Sequence, residues 1–241
     1  MEKRIRLDKY LADMGLGTRK EVKNDIRRGK VKVNSDIEHS PERKIDLQTE
    51  RIYFEDRELS YITYEYYMFH KPAGCVSATE DHRHKTVLDY IDAKRNDLFP
   101  VGRLDLDTEG LLLITNDGEL AHQLLSPRKH VEKIYYAKVN GTVTEEDIRL
   151  FEAGLDIGEE KRTLPARLTI LKSDTVSEVH IAITEGKFHQ VKRMFEAVDK
   201  IVIYLKRLSM GSLKLDEHLK PGEYRALTEE ERNELKEKVS L

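Results

Sequence analysis

The chain has 241 residues, enough for one large domain or a large one with a small companion, and it is 39% hydrophobic and 36% charged, without tryptophan. That balance excludes a disordered chain, the longest apolar run falls far short of the ~20 residues that cross a bilayer, and the single cysteine, Cys75, excludes an internal disulfide or a cysteine-built zinc site. Net charge is only −3, yet residues 1–34 carry 11 Lys and Arg against 5 Asp and Glu, and the other 207 carry 31 against 40. A basic head before an acidic body predicts that the head meets a polyanion.

In chain order, "LDKYLADMG" reads as a short helix closed by Gly15, and "TRKEVKNDIRRG" as a second with Thr18 as N-cap and Gly29 as its stop. Val22 and Ile26, four apart, face a core, while Arg19, Lys20, Lys23, Arg27 and Arg28 spread over the remaining surface. "KVKVN" alternates Val31 and Val33 inward with Lys30 and Lys32 outward, a strand entering a turn at Asn34-Ser35-Asp36. Polar sequence then leads through "RIYFEDREL" to a domain boundary between Tyr61 and Glu65. Beyond it, "YYMFHK", "LLLITN", "KIYYAKVNG", "ARLTILK" and "VSEVHIAIT" read as strands. "TVLDYI", "GELAHQLL", "EEDIRLFEAG", "HQVKRMFEAV" and "TEEERNELKEKV" read as helices, the last opening on the capping box Thr228 and Glu231. In "HQVKRMFEAV", Val191, Met194, Phe195 and Val198 form the buried stripe, and Lys192 and Arg193 flank it. Adjoining strands with interspersed helices predict an α+β fold on a largely antiparallel sheet. No apolar segment follows the charged N-terminus, so no secretory signal is visible and the cytoplasm is the expected setting.

"GRLDLDTEGLLLITNDGEL", residues 102–120, places Asp105 and Asp107 against a run of leucines. A calcium loop would put its bidentate glutamate at residue 116, which is asparagine, and would need a helix where "LLLIT" reads as a strand. A glycosidase pair fits the spacing but lacks aromatic platforms for a sugar. Asp107 or Thr108 is expected to cap a turn before Gly110. Asp105 differs, standing between Leu104 and Leu106 and directly after Arg103. The one close histidine pair, His82 and His84 in "EDHRHK", reads as a polar loop rather than a metal site.

The stretch from Gly102 through "SPRKHVEKIYY" resembles the catalytic signature of the pseudouridine synthases, within the branch that acts on ribosomal RNA. "FHKPAGCVS" at 69–77 is similar to that family's first motif around a Lys-Pro pair, and "EGKFHQVKRMFEAVDKIVIYLKR" at 185–207 resembles a third, with "PGEYRAL" closing the domain. The basic head resembles a small S-four-like RNA-binding module. This resemblance implies an S-four-like module over residues 1–60 and a catalytic domain over 65–241, built on a mainly antiparallel sheet around a central cleft. It also implies conversion of uridine to pseudouridine without a cofactor and without a metal.

Residue by residue, Asp105 matches the family's invariant aspartate, whose implied role is nucleophilic or electrostatic. An ionised carboxylate in a water-poor pocket needs a cation, because burial alone would raise its pKa. Lys192 matches the basic partner; many relatives have arginine there, and lysine gives up the bidentate fork. Arg193 is the alternative partner. Tyr135 matches the active-site tyrosine, implied to stack on the base and help remove the carbon-5 proton, and strand alternation sends Tyr136 to the opposite face. Arg103, Leu104, Lys71 and Arg193 are the expected substrate contacts, with Arg103 filling the space left by a flipped uridine or holding a phosphate. Arg4, Arg6, Lys9, Arg19, Lys20, Lys23, Arg27, Arg28, Lys30 and Lys32 are the expected phosphate contacts, giving steeply salt-dependent binding. "GLDIGEEKRTLPARLTIL" and "EGKFHQVKRMFEAV" look most like the small-subunit rRNA type. The expected partner is therefore ribosomal RNA, or a ribosomal subunit assembly intermediate, met by a monomer away from any membrane. A large-subunit rRNA synthase and a non-catalytic RNA-binding assembly protein are the rival readings.

Overall fold

The computed structural model describes residues 4–240. It divides into two compact units, one running through Glu65 and including Asp92–Leu98, the other comprising Tyr66–Ile91 and the chain from Phe99 onward. Among the described residues no helix is long and apolar enough to cross a membrane.

The first unit contains β1 (Arg4–Arg6), α1 (Leu7–Asp13), α2 (Arg19–Arg27), β2 (Val31–Val33), β3 (Asp36–Ile37), β4 (Lys44–Asp46), β5 (Ile52–Phe54) and β6 (Arg57–Leu59). Thr18 starts α2 with a full capping box: its hydroxyl accepts from Glu21 N at 3.3 Å, and the Glu21 carboxylate accepts from Thr18 N at 2.8 Å. Gly29 closes the same helix at φ +78°, a backbone state that costs a Cβ-bearing residue energy. Apolar residues of α1, α2, β2, β4 and β5 meet in a core of Leu7, Tyr10, Leu11, Val22, Ile26, Val31, Val33, Ile45 and Ile52. Residues 92–98, expected with the catalytic part, pack here because of Arg95. Its buried guanidinium lies over the Tyr61 ring, donates to Ile62 O at 3.0 Å and to Asp97 at 2.8 Å, and approaches Asp13 at 3.3 Å. Burying a charge is costly, and pairing of this kind offsets that cost.

The second unit is built on a nine-stranded sheet. Its strands are β7 (Tyr66–Lys71), β8 (Phe99–Pro100), β9 (Glu109–Thr115), β10 (Lys133–Asn140), β11 (Arg167–Lys172), β12 (Val176–Ile183), β13 (Ile201–Met210), β14 (Leu213–Lys214) and β15 (Tyr224–Ala226). The order is β11-β12-β10-β13-β9-β7-β15, with β14 beside β13 and β8 beside β9. The pairing is antiparallel as the sequence predicts, except that β9 runs parallel to β13. Gly110 makes that parallel contact possible: at φ +107°, a Cβ there would meet Arg207 O at 2.2 Å. The helices are α3 (Gly118–Leu125), α4 (Glu145–Ala153), α5 (Gln190–Glu196) and α6 (Glu229–Ser240), whereas "TVLDYI" makes only a 3₁₀ turn over Val87–Tyr90. Val191, Met194 and Phe195 are buried as their spacing predicts, but Val198 lies beyond the end of α5 and is only half-buried. Asp117 caps α3 through Leu120 N at 3.1 Å and accepts the Tyr66 hydroxyl at 2.6 Å, tying that helix to β7.

β13, at ten residues, is the longest of the strands that the sequence did not announce. Lys206 and Arg207 interrupt its apolar run, and periodicity alone reads such a segment as surface. It nevertheless stands between β10 and β9 near the middle of the sheet.

Candidate active site

Asp105 belongs to the loop 102–108, between β8 and β9, which has no regular structure of its own and is held by the segment after β7. Ser77 Oγ donates to Leu104 O and accepts from Leu104 N, both at 3.0 Å, and Gly74 N donates to Leu106 O at 2.7 Å. Beneath the loop, Lys71 Nζ donates to Asp105 O and Thr108 O at 2.9 Å and to Pro72 O at 3.0 Å. Lys71 is fully buried, and burial lowers its pKa against the attraction of Cys75, Asp105, Asp107 and Glu109. Expected as a substrate contact, Lys71 is instead a clamp under the loop and is not among the residues lining the cleft.

The other wall is the turn 184–189 and the first turn of α5. His189 enters the helix in the left-handed region at φ +49°. Gln190 fixes the turn, its amide nitrogen donating to Glu185 at 2.9 Å and its oxygen accepting from Lys187 N at 2.8 Å. Lys192 Nζ thereby reaches Asp105 Oδ2 at 3.1 Å and Asp107 Oδ1 at 2.6 Å, and His189 Nε2 lies 3.6 Å from Asp105 Oδ1. Partial burial works against both ends of the Lys192–Asp107 pair but is outweighed: the hydrogen bonds to Asp107 and Asp105 hold the Lys192 pKa above its ordinary value, and Lys192 holds the Asp107 carboxyl below its own. Asp107, expected to cap a turn, is a 72%-exposed second carboxylate on the same ammonium.

Arg193 turns elsewhere, since consecutive helical residues point about 100° apart. Its guanidinium donates to Glu159 at 2.6 Å, to Phe188 O at 3.1 Å and to Ile157 O, and it does not line the cleft. The structure thus brings Lys192, not Arg193, to Asp105.

Between the walls lies a cleft of ≈ 660 Å³ whose lining includes Arg103, Leu104, Asp105, Tyr135, Lys192 and Arg207. Tyr135 points inward from β10, and its hydroxyl has no hydrogen-bond partner among the described residues. Tyr136 points to the other face, where burial and the Glu178 carboxylate, accepting its hydroxyl at 2.6 Å, push it up to about 12. Arg103 is exposed and makes no ion pair or hydrogen bond among the described residues. Sequence reasoning missed three cleft residues, His189, Lys133 and Arg207. For Arg207 no signal existed, because an arginine inside a strand reads as exposed. Among the described residues no group of three His, Cys, Asp or Glu is placed to hold a metal.

In the first unit, five of the ten expected phosphate contacts are already paired. Arg6 meets Asp8 at 2.8 Å, Lys9 meets Asp13 at 2.5 Å, Lys23 meets Asp8 at 3.6 Å, Lys30 meets Glu55 at 3.0 Å and Lys32 meets Asp56 at 2.6 Å. Arg4, Arg19, Lys20, Arg27 and Arg28 are exposed and unpaired among the described residues. Residues 1–60 together carry 15 Lys and Arg against 13 Asp and Glu, so the basic excess of the head is confined to its first 34 residues.

Residues 65–197 match the RNA pseudouridylate synthase family, and residues 5–49 match the S4 domain. An uncharacterized RNA pseudouridine synthase of Bacillus subtilis is 46% identical over 236 residues, covering 97% of this chain and 99% of its own length. Enzymes named ribosomal small subunit pseudouridine synthase A are 41% identical in Vibrio cholerae, over 94% of this chain and 97% of theirs, and 38% identical in Escherichia coli, over 94% and 98%. The crystal structure of a pseudouridylate synthase, 39% identical, aligns over 96% of this chain and 99% of that one with a TM-score of 0.68. The chain belongs to the RNA pseudouridylate synthase family and is an RNA pseudouridine synthase with an S4 domain before its catalytic fold.

Proposed function

We propose that this enzyme converts one uridine of small-subunit (16S) ribosomal RNA to pseudouridine, acting as a monomer in the cytoplasm on the RNA or on a ribosomal subunit assembly intermediate. The observation that carries the reading is the Asp105 carboxylate, 3.1 Å from Lys192 Nζ, at one side of a cleft with a free tyrosine hydroxyl. Lys192 holds its ammonium against that carboxylate, the arrangement that nucleophilic or electrostatic use of the group calls for. Asp105 acts at the sugar or the base, as nucleophile or through its charge. Tyr135 stacks on the base and assists loss of the carbon-5 proton. The substrate-side choice rests on the small-subunit enzymes that align with this chain over nearly the full length of both.

A uridine in folded RNA must leave its stack, at a cost of a few kcal/mol. Arg103, which lines the cleft without a partner among the described residues, takes the vacated place or holds the displaced phosphate. Residues 1–60 hold the RNA through Arg4, Arg19, Lys20, Arg27 and Arg28, contacts that orient it without reading its sequence. The test is pseudouridine formation on small-subunit and large-subunit transcripts, with wild type and Asp105→Ala in parallel. One new pseudouridine in small-subunit RNA, abolished by the substitution while RNA binding is retained, is the expected outcome. Modification confined to large-subunit RNA would overturn the substrate, and activity that survives the loss of Asp105 would overturn the site.

A further inference from the structure

Two cations at the cleft have no counter-charge. Lys133 precedes Tyr135 by two residues on the same face of β10, and Arg207 pairs with Tyr135 across the β10–β13 register. Both line the cleft, although Lys133 is only 8% exposed and Arg207 only 2%. Lys133 Nζ donates to Val131 O at 2.9 Å and Arg207 Nε to Leu111 O at 2.7 Å, while Arg207 Nη2 is buried without a partner. Neither makes an ion pair among the described residues. Glu185, a carboxylate of the cleft, already accepts from Leu164 N at 2.8 Å and Gln190 Nε2 at 2.9 Å.

Burying one unpaired charge is costly, and burying two of like sign side by side is costlier still. Burial, together with the Arg207 charge, pushes Lys133 down to about 8. A fold keeps such an arrangement where a ligand supplies the missing negative charge. We propose that Lys133 and Arg207 receive a carbonyl oxygen of the flipped uracil and take up the negative charge that the base acquires when its bond to ribose breaks. The proposal rests on the pseudouridine synthase reading of the cleft and adds two groups to it.

The chemistry balances without any co-reactant. The bond from ribose C1′ to N1 breaks with its electron pair left on the base, giving a uracil anion whose charge is shared among O2, N1 and O4. The base then turns, C5 supplies the electron pair for a new bond to C1′, the C5 proton leaves and N1 takes one up. Composition is unchanged from uridine. Donors fixed at the oxygens before the bond breaks lower the cost of that charge without reorganising, as an oxyanion hole does. A base stacked on the Tyr135 ring lies beside Lys133, its neighbour on the same strand face. A phosphate oxygen is the other anionic oxygen available, but exposed Arg103 already offers a cation to it, and a deeply buried pair suits the base.

The experiment is single-turnover pseudouridine formation on 16S transcript by wild type, Lys133→Met, Lys133→Arg and Arg207→Lys. Lys133→Met should slow the reaction by roughly 10²-fold or more, with RNA affinity within a few-fold of wild type and melting temperature unchanged or higher. Lys133→Arg should recover part of the rate. Thiouridine at the target, a weaker acceptor at position 2 or 4, should slow wild type but add little to Lys133→Met. If a methylphosphonate at the target shows that non-additivity instead, the pair holds phosphate and the proposal fails. Wild-type rates in Lys133→Met would also overturn it, with the enzyme's function left standing. If wild type modifies neither 16S nor 23S transcript, the functional reading falls and the proposal falls with it.

Discussion

The cations on the surface of the N-terminal unit and those around the cleft carry the same charge under opposite conditions. Arg19, Lys20, Arg27 and Arg28 are exposed and unpaired. Each keeps its hydration, contributes little alone, and acts with the others by releasing counterions from RNA. Lys71, Lys133 and Arg207 are buried, and Lys192 is mostly so. There desolvation makes each charge expensive, so its direction and its partner decide what it does. On the proposed function, surface positives set how strongly RNA is held and how that depends on salt, and buried positives set the shape and chemistry of the cleft.

Substitutions on either side of that divide sharpen or break it. Asp105→Asn keeps the side-chain shape and removes the charge Lys192 serves; the single-turnover rate should fall on the order of 10⁴-fold or more while RNA affinity holds. Lys192→Met should cost roughly 10²- to 10³-fold in the same assay, and Lys192→Arg should restore most of it, because a fork can meet Asp105 and Asp107 together. Equal rates for Lys192→Met and wild type would show that the buried side of the comparison is electrostatically idle. Lys71→Met leaves the carbonyls of Asp105, Thr108 and Pro72 without their donor. Chemical denaturation should show a loss of about 2–4 kcal/mol.

Lys133 gives a signed pH test. Its folded pKa, lowered to about 8, lies below the ordinary lysine value, so between about pH 8 and 10.5 the unfolded chain binds more protons than the folded one. Raising pH through that window should stabilise wild type relative to Lys133→Met by roughly 1–3 kcal/mol in urea titrations. A flat difference would mean the ammonium is better compensated than its surroundings imply. The smallest effect per residue belongs to the surface. Replacing Arg19, Lys20, Arg27 and Arg28 with alanine should flatten the salt dependence of RNA binding by about 3 in logarithmic slope, whereas Lys32→Ala, already paired with Asp56 at 2.6 Å, should barely change it.

Part of the fold was legible because α2 and β2 of the first unit each obey their own period. Thr18 and Gly29 bracket α2 as written, and Val31 and Val33 alternate inward from β2. The antiparallel body was legible for the same reason in β7, β10 and β12. β13 was not, since a buried arginine in a strand mimics a surface residue until the neighbouring strands are known. The pairing of Lys192 with Asp105 could not be separated from an Arg193 pairing either. It depends on where α5 begins; the helix starts at Gln190, whose side chain closes a local turn on Glu185 and Lys187, and apolar spacing does not show that turn. Segment 92–98 was misplaced because Arg95 finds Asp13, far away in sequence.

The clamp under the Asp105 loop has one more consequence. Lys71 grips main-chain carbonyls, which are present whatever side chain stands at 105 or 108. The loop's path is thus held by contacts that do not depend on the Asp105 side chain. An Asp105 variant should fold, dock and occupy its RNA as the parent does, and then release it unaltered. Expressed beside the native enzyme, it would serve as a decoy that competes for the same site, separating the effects of occupying that RNA from those of modifying it.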